Sequence, residues 1–157
     1  MLPPFQTFLD EHRRDVLRFL VAMVGPVDAD DCFQETFVSA LRAYPRLEPG
    51  SNLRAWVLRI AQRKAIDHHR GAARRALPVA DVPEGAAHVD LGASVDGQPE
   101  LWAQVRALPP KQRAAIVHRY VSDLPYEDIA PLLDCSPEAA RRSVHEGLKK
   151  LRTTWTG

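Results

Sequence analysis

From Phe5 to Val24 the apolar letters Phe5, Phe8, Leu9, Val16, Leu20, Met23 and Val24 recur at steps of three and four, the period of an amphipathic helix, and Gly25-Pro26 stops it. Asp28 or Asp30 supplies a cap for a second helix. Its inward stripe is Phe33, Phe37, Ala40, Leu41 and Tyr44, and its other face is Asp30, Asp31, Gln34 and Glu35. Pro45 to Ser51 reads as a short ordered loop, and Asn52 caps a third helix that turns Leu53, Trp56, Val57, Ile60, Ala61 and Ala65 inward. Around the back of that helix lie Arg54, Arg59, Arg63, Lys64 and Arg70.

From about Gly71 to Gln98 the helical stripe lapses, and Lys and Arg vanish after Arg75, which predicts a linker of roughly 25 residues. A second helical block follows. Leu101, Val105 and Leu108 mark one helix, Pro109-Pro110 opens another through Ile116 and Tyr120, and Leu124-Pro125 starts a third. Ser136-Pro137, a cap followed by a proline at the first helical position, begins a final helix that runs to about Thr153. No strand alternation and no internal repeat stands out. The expected fold class is all-α: two small helical domains, 1–72 and 98–157, joined by a flexible linker at 73–97, the C-terminal one containing a helix-turn-helix.

Composition changes this picture little. The chain has 157 residues, of which 45% are apolar and 26% charged, the balance of an ordinary soluble protein. Its longest apolar run, Phe19 to Val24, falls far short of the roughly 20 residues that cross a bilayer. No membrane insertion is expected, and with no basic region ahead of an apolar one at the N-terminus the expected location is cytoplasmic. Cys32 and Cys135 form neither a disulfide framework nor a CxxC pair, so both are expected to be small buried hydrophobes.

Charge changes it more. The net charge is only +1, yet residues 1–50 carry five Lys and Arg against eight Asp and Glu, 51–75 seven against one, 76–100 none against five, and 101–157 nine against six. Near-neutrality thus conceals two basic blocks separated by an acidic one. Basic blocks of this kind seek a polyanion, and the acidic ones seek something else.

The short helix Tyr126 to Leu133, a turn at Leu133-Asp134-Cys135 and a longer helix from Ser136 have the spacing of a helix-turn-helix, whose second helix enters the major groove. That helix needs an apolar face for its own domain, supplied by Val144, Leu148 and Leu151. It needs a basic face for DNA, supplied by Arg141, Arg142, His145 and Lys149. The third helix, with Trp56 among its arginines, has the composition to track a nucleic-acid backbone, although Trp56 sits in the apolar stripe and is expected to pack. Adjacent histidines such as His68 and His69 point about 100° apart on a helix, a poor geometry for sharing one metal ion. There is no Gly-rich phosphate loop, no GxSxG and no HExxH, so no enzyme, cofactor or metal site is expected.

Three stretches together carry a resemblance. Asp28 to Leu41 (DADDCFQETFVSAL), Asn52 to Arg70 (NLRAWVLRIAQRKAIDHHR), and Leu108 to Arg113 (LPPKQR) with Tyr126 to Ala130 (YEDIA) and the final helix resemble, in order and spacing, the bacterial RNA polymerase sigma factors of the extracytoplasmic-function group. The resemblance implies a subunit that binds core RNA polymerase and directs promoter-specific transcription initiation. It implies that Asp30, Asp31, Gln34 and Glu35 meet basic clamp helices of the polymerase. It implies that the loop from Pro45 to Asn52 receives a flipped base of the minus-10 element, with Asn52, Arg54, Trp56, Arg59, Arg63, Lys64 and Arg70 around the melted strand. The acidic linker would run toward the polymerase channels. Arg141, Arg142, His145 and Lys149 would read the minus-35 element, with Arg113 and Arg119 on phosphates, and an anti-sigma factor is the common inhibitory partner of such proteins.

Three residues depart from the family pattern: Asp134 stands where the turn has Gly, Ala140 where the recognition helix has a branched apolar residue, and Pro131 lies inside the helix before the turn. Two other readings compete. A free-standing helix-turn-helix regulator would use the first domain for sensing or dimerisation, and a small hydrolase would use Asp67 and His68.

Overall fold

The computed structural model describes residues 1–74 and 98–154, and the regular elements in them are all helical. Three helices form a first unit: α1 (Phe5–Val24), α2 (Ala29–Ala43) and α3 (Leu53–Arg74). Four form a second: α4 (Pro99–Arg106), α5 (Pro110–Tyr120), α6 (Tyr126–Leu132) and α7 (Pro137–Thr154). The all-α expectation holds. Residues 75–97, where the predicted acidic linker falls, lie outside the described residues. The helix α3 runs through Gly71 to Arg74, past the point where the apolar stripe lapses.

The helix α1 ends where Gly25 turns to φ 90°, a backbone conformation glycine adopts without steric cost, and the Gly25 N–H returns to the Val21 carbonyl at 2.9 Å. Phe8, Val16, Leu20 and Met23 are fully buried, as the stripe predicts. Phe19, Val21 and Ala22, off the stripe, are buried as well, because α4 and α5 of the second unit cover this end of α1. One apolar core therefore runs through both units.

Two sequence expectations for α2 need correction. Asp28 occupies the cap position but its side chain accepts no cap hydrogen bond: the carboxylate turns to His68 Nε2 at 3.2 Å instead. Leu41, assigned to the inward stripe, is 54% exposed, since it lies about 100° around the helix from buried Ala40 while Phe37, Ala40 and Tyr44 carry the stripe inward. The cap on α3 is as expected, the Ala55 N–H donating to Asn52 Oδ1 at 3.1 Å, and Leu58 joins Val57, Ala61 and Ala65 in the core.

In the second unit Ser136 Oγ accepts the Ala139 N–H at 3.1 Å and starts α7. Asp134 holds the preceding turn at φ 53°, an uncommon conformation that Asp tolerates at roughly 1 kcal/mol. Pro131 is the second-last residue of the short α6, so its missing N–H removes one bond from a helix that is already ending. The helices α5 and α7 pack tightly at Gly147, where a Cβ would lie 2.5 Å from Ile116 Cδ1.

Candidate nucleic-acid and polymerase interface

An aromatic cluster fixes the loop after α2. Phe8 lies at its centre, with ring centroids of Phe5, Tyr44, Trp56 and Phe37 at 5.5, 5.2, 5.7 and 6.2 Å. The Tyr44 hydroxyl donates to the Pro3 carbonyl, anchoring the residue from which the chain leaves α2. A single 3-10 turn, Tyr44–Arg46, follows. Ser51 Oγ then donates to the Glu48 carbonyl at 2.6 Å, and Gly50 sits at φ 87°. Trp56 is half-buried in this cluster, its ring packed against Phe8 and Tyr44.

On α2, Asp31, Gln34 and Glu35 are exposed and Asp30 is half-buried, its carboxylate accepting from Gln34 Nε2 at 3.4 Å. Val38 and Leu41 continue this outer face at 49% and 54% exposure. The face is therefore acidic at one end and apolar at the other, a combination typical of a docking surface. Sequence reasoning found the acids and missed the apolar end. Cys32 lies underneath, its thiol pushed up to about 12 by burial and, secondarily, by the carboxylates of Glu35, Asp28 and Asp31.

The basic residues of α3 divide into two groups. Arg63 and Arg70 are exposed and Lys64 is half-buried. Arg54 and Arg59 turn toward the second unit. Arg54 pairs through Nε with Asp15 at 3.0 Å and donates from Nη2 to the Ser122 carbonyl. Arg59 reaches the Pro131 carbonyl at 3.5 Å and the Asp134 carboxylate at 3.4 Å. Further along α3 Gln62 is buried: its Nε2 donates to the Leu132 carbonyl at 2.8 Å and its Oε1 meets His118 Nε2 at 2.7 Å. The cleft beside this junction, about 250 Å³, is lined by Arg59, Arg63, Arg70, Gln62 and the carboxylates of Asp67 and Asp134. Gln62 and His118 were not singled out from the sequence, since a neutral amide and a lone histidine announce nothing until their partners are known.

His68 and His69 tie α3 to its own unit. His68 faces Asp28, and His69 Nε2 meets the Met23 carbonyl at 2.8 Å, with burial holding its pKa below the usual range. Asp67 is exposed and stands apart from them. Among the described residues no three His, Cys, Asp or Glu side chains gather closely enough to hold a metal ion.

On α7, Arg141, Arg142, His145 and Lys149 are all exposed on one helix, opposite buried Val144 and Leu151. The guanidiniums of Arg141 and Arg119 lie over the Tyr126 ring at 5.0 and 4.9 Å, and Arg119 also donates to the Leu124 carbonyl at 3.1 Å. Arg113 differs: it is 8% exposed and donates to the Leu108 carbonyl at 3.0 Å, with its pKa lowered by burial. No described helix is long and apolar enough to cross a membrane.

Comparison with known proteins agrees with this division. Residues 8–75 match the family model described as Sigma-70 region 2, and residues 99–151 match that described as Sigma-70, region 4. The RNA polymerase sigma factor CarQ of Myxococcus xanthus is 33% identical over 153 residues, covering 94% of this chain and 87% of that protein. The extracytoplasmic-function sigma factor SigD of Mycobacterium tuberculosis is 31% identical, covering 92% of this chain and 73% of its own. Among solved structures, the fold is shared by the sigma factor RpoE of Bartonella quintana in complex with the anti-sigma factor NepR, at a TM-score of 0.75 and 24% identity over 95% of this chain and 94% of that one. It is shared too by CnrH in complex with the cytosolic domain of CnrY, at a TM-score of 0.71 and 23% identity over 95% of this chain and 85% of that one. The region 2 match spans the unit that a free-standing regulator would use for sensing, so that reading is set aside.

Proposed function

The chain belongs to the sigma-70 family, in its extracytoplasmic-function group, and directs promoter-specific transcription initiation; on that premise we propose how its surfaces divide the work. The observation that carries the reading is that one chain holds region 2 and then region 4 in sequence. The working units are 1–72 and 98–157, with 73–97 as the tether.

Core polymerase docks on the outer face of α2, where Asp30, Asp31, Gln34 and Glu35 meet a basic surface and Val38 and Leu41 supply apolar contact. The minus-10 strand lies along α3. Asn52 and the loop held by Tyr44 and Trp56 frame an unpaired base, and Arg54, Arg59, Arg63, Lys64 and Arg70 neutralise phosphates. Capturing a base already out of its stack offsets the unpairing cost of a few kcal/mol, so melting is favoured without any bond being made or broken. The protein is thus a binding subunit and no enzyme, acting in the cytoplasm where the polymerase is.

The minus-35 element is read by Arg141, Arg142 and His145 on α7, with Lys149 and Arg119 on the backbone. Arg113 is buried against the Leu108 carbonyl, and its contribution to phosphate binding is to hold the start of α5 in place. An anti-sigma protein is the expected inhibitor, since a solved neighbour of this fold, RpoE of Bartonella quintana, was captured with the anti-sigma factor NepR. The test is Asp31→Lys with Glu35→Lys in run-off transcription over a promoter library. Loss of both core-polymerase association and transcript is expected, and wild-type transcription by the double variant would refute the docking face.

A further inference from the structure

Two arginines gather beside the end of α1 without a counter-ion. Arg106, in the last turn of α4, lays its guanidinium against Gly25, where a Cβ would lie 3.8 Å from both its Cζ and its Nε. Arg113, on α5, is 8% exposed; its Nη2 donates to the Leu108 carbonyl at 3.0 Å, and its Nε is buried with no partner. His69 of α3 borders the same place, its Nε2 already engaged by the Met23 carbonyl at 2.8 Å. The three feel one another's charge. Burial and then Arg106 lower the pKa of Arg113, while His69 is lowered by burial and then, against the pull of the Met23 carbonyl, by Arg113, His68 and Arg106.

Nothing negative on the chain balances this cluster. Among the described residues no carboxylate lies within ion-pair distance of Arg106 or Arg113, and the Asp28 carboxylate nearby in sequence is spent on His68. The C-terminal ends of α1 and α4 each offer at most about half an elementary negative charge, against the two full positive charges of the guanidiniums. About one positive charge is therefore left over at a place partly withdrawn from water, where a lone ion is costly. Each guanidinium presents five N–H donors in a planar fork, and Arg106 spends none of them on the described residues. A flat carboxylate satisfies one fork. A tetrahedral oxyanion has oxygens for two forks at once, and its higher charge matches the surplus.

We propose that Arg106 and Arg113, beside the side-chain-free backbone of Gly25, form a binding site for a small phosphate anion, either free or at the end of a phosphate ester. Half-buried Arg106 and buried Arg113 admit a compact ion and not the broad surface of a duplex. The site uses none of the α3 and α7 residues assigned above to promoter DNA, so it stands independently of those roles. The folded chain alone assembles it, since its arginines come from two helices and its wall from the end of a third. Its signature is therefore a gain in thermal stability that saturates with the anion.

The full chain is melted in sodium chloride and in sodium phosphate at equal ionic strength and pH, with binding measured in parallel by isothermal titration calorimetry. A dissociation constant of about 1 mM would raise the wild-type melting temperature by about 3–5 °C in about 20 mM phosphate, with one anion bound per chain. Arg106→Gln should melt at or above the wild type in chloride, because an unpaired charge is gone, and should lose nearly all of the phosphate shift. Arg106→Lys keeps the charge without the fork and should fall between the two. Adenosine diphosphate is the second probe: a larger shift than phosphate at equal concentration assigns the site to phosphate esters, and an equal or smaller one to the free ion. An Arg106→Gln protein that melts lower than the wild type by the same amount in both salts would show an arginine serving only the end of α4, and would overturn the proposal. Should Arg106→Gln fail to melt cooperatively, the wild-type titration decides: one-site saturation supports the site, and a linear, unsaturable response to phosphate refutes it.

Discussion

The helix α7 meets α5 at a point where backbone approaches side chain with no room to spare. A Cβ at Gly147 would lie 2.5 Å from Ile116 Cδ1, against about 3.5–4 Å for ordinary carbon contact, so about 1 Å must be found. Gly147→Ala gains about 1 kcal/mol of helix propensity and costs about 1–3 kcal/mol of overpacking, leaving the single variant between neutral and about 2 kcal/mol less stable. The upper bound holds because Ile116 borders an apolar cleft of about 370 Å³, into which its terminal methyl can swing. Ile116→Val deletes the obstructing carbon and alone costs about 0.5–1.5 kcal/mol. In the double variant the alanine methyl takes the vacated space, and the helix gains its propensity without the clash. The two changes should couple favourably by about 1–3 kcal/mol in a four-protein urea-unfolding cycle followed by far-UV circular dichroism. A cycle that closes within about 0.5 kcal/mol would refute the close approach of α7 to α5.

Acidity should weaken the fold through His118, whose pKa burial drives from 6.5 to about 3. Between those values the unfolded chain binds a proton that the folded one refuses, so stability is complete above pH 6.5 and falls as pH drops toward 3. The half-buried rings of His12 and His69, whose pKa values partial burial also lowers, act in the same direction, and His118→Phe should flatten the pH dependence of the urea midpoint. Phe8→Ala should cost about 3–5 kcal/mol and release the loop after Tyr44, read as a lower melting temperature, while exposed Thr7→Ala leaves it unchanged. On minus-35 duplex, Arg142→Ala should relax base preference at one position, whereas Lys149→Ala should weaken all sequences alike and reduce the salt slope by about one.

Helix positions were legible because the apolar period and the punctuation agree: Gly25-Pro26 and Ser136-Pro137 mark boundaries that the structure keeps. The Asn52 and Ser136 caps were readable for the same reason, since a cap is a local bond within four residues. Asp28 was misread because its side chain answers to His68, forty residues away, and local pattern carries no trace of that pair. Leu41 shows the complementary failure: an apolar letter near a stripe is read as inward by default, yet folded proteins leave many apolar side chains at the surface and the local pattern does not say which. The charged candidates on α7 and α2 were legible from charge spacing alone. Gln62 and His118 were invisible because their role exists only once two segments 56 residues apart are brought together.

The two cysteines are chemically unequal. Cys32 is 2% exposed, with its thiol pKa pushed up to about 12, whereas Cys135 is half-buried at the bend leading into α7. A maleimide dye applied to the native protein at neutral pH therefore attaches at Cys135 and leaves Cys32 untouched. The molecule thus carries a ready single-site handle at the entry to α7, fit for watching that bend in solution without altering one residue of the chain.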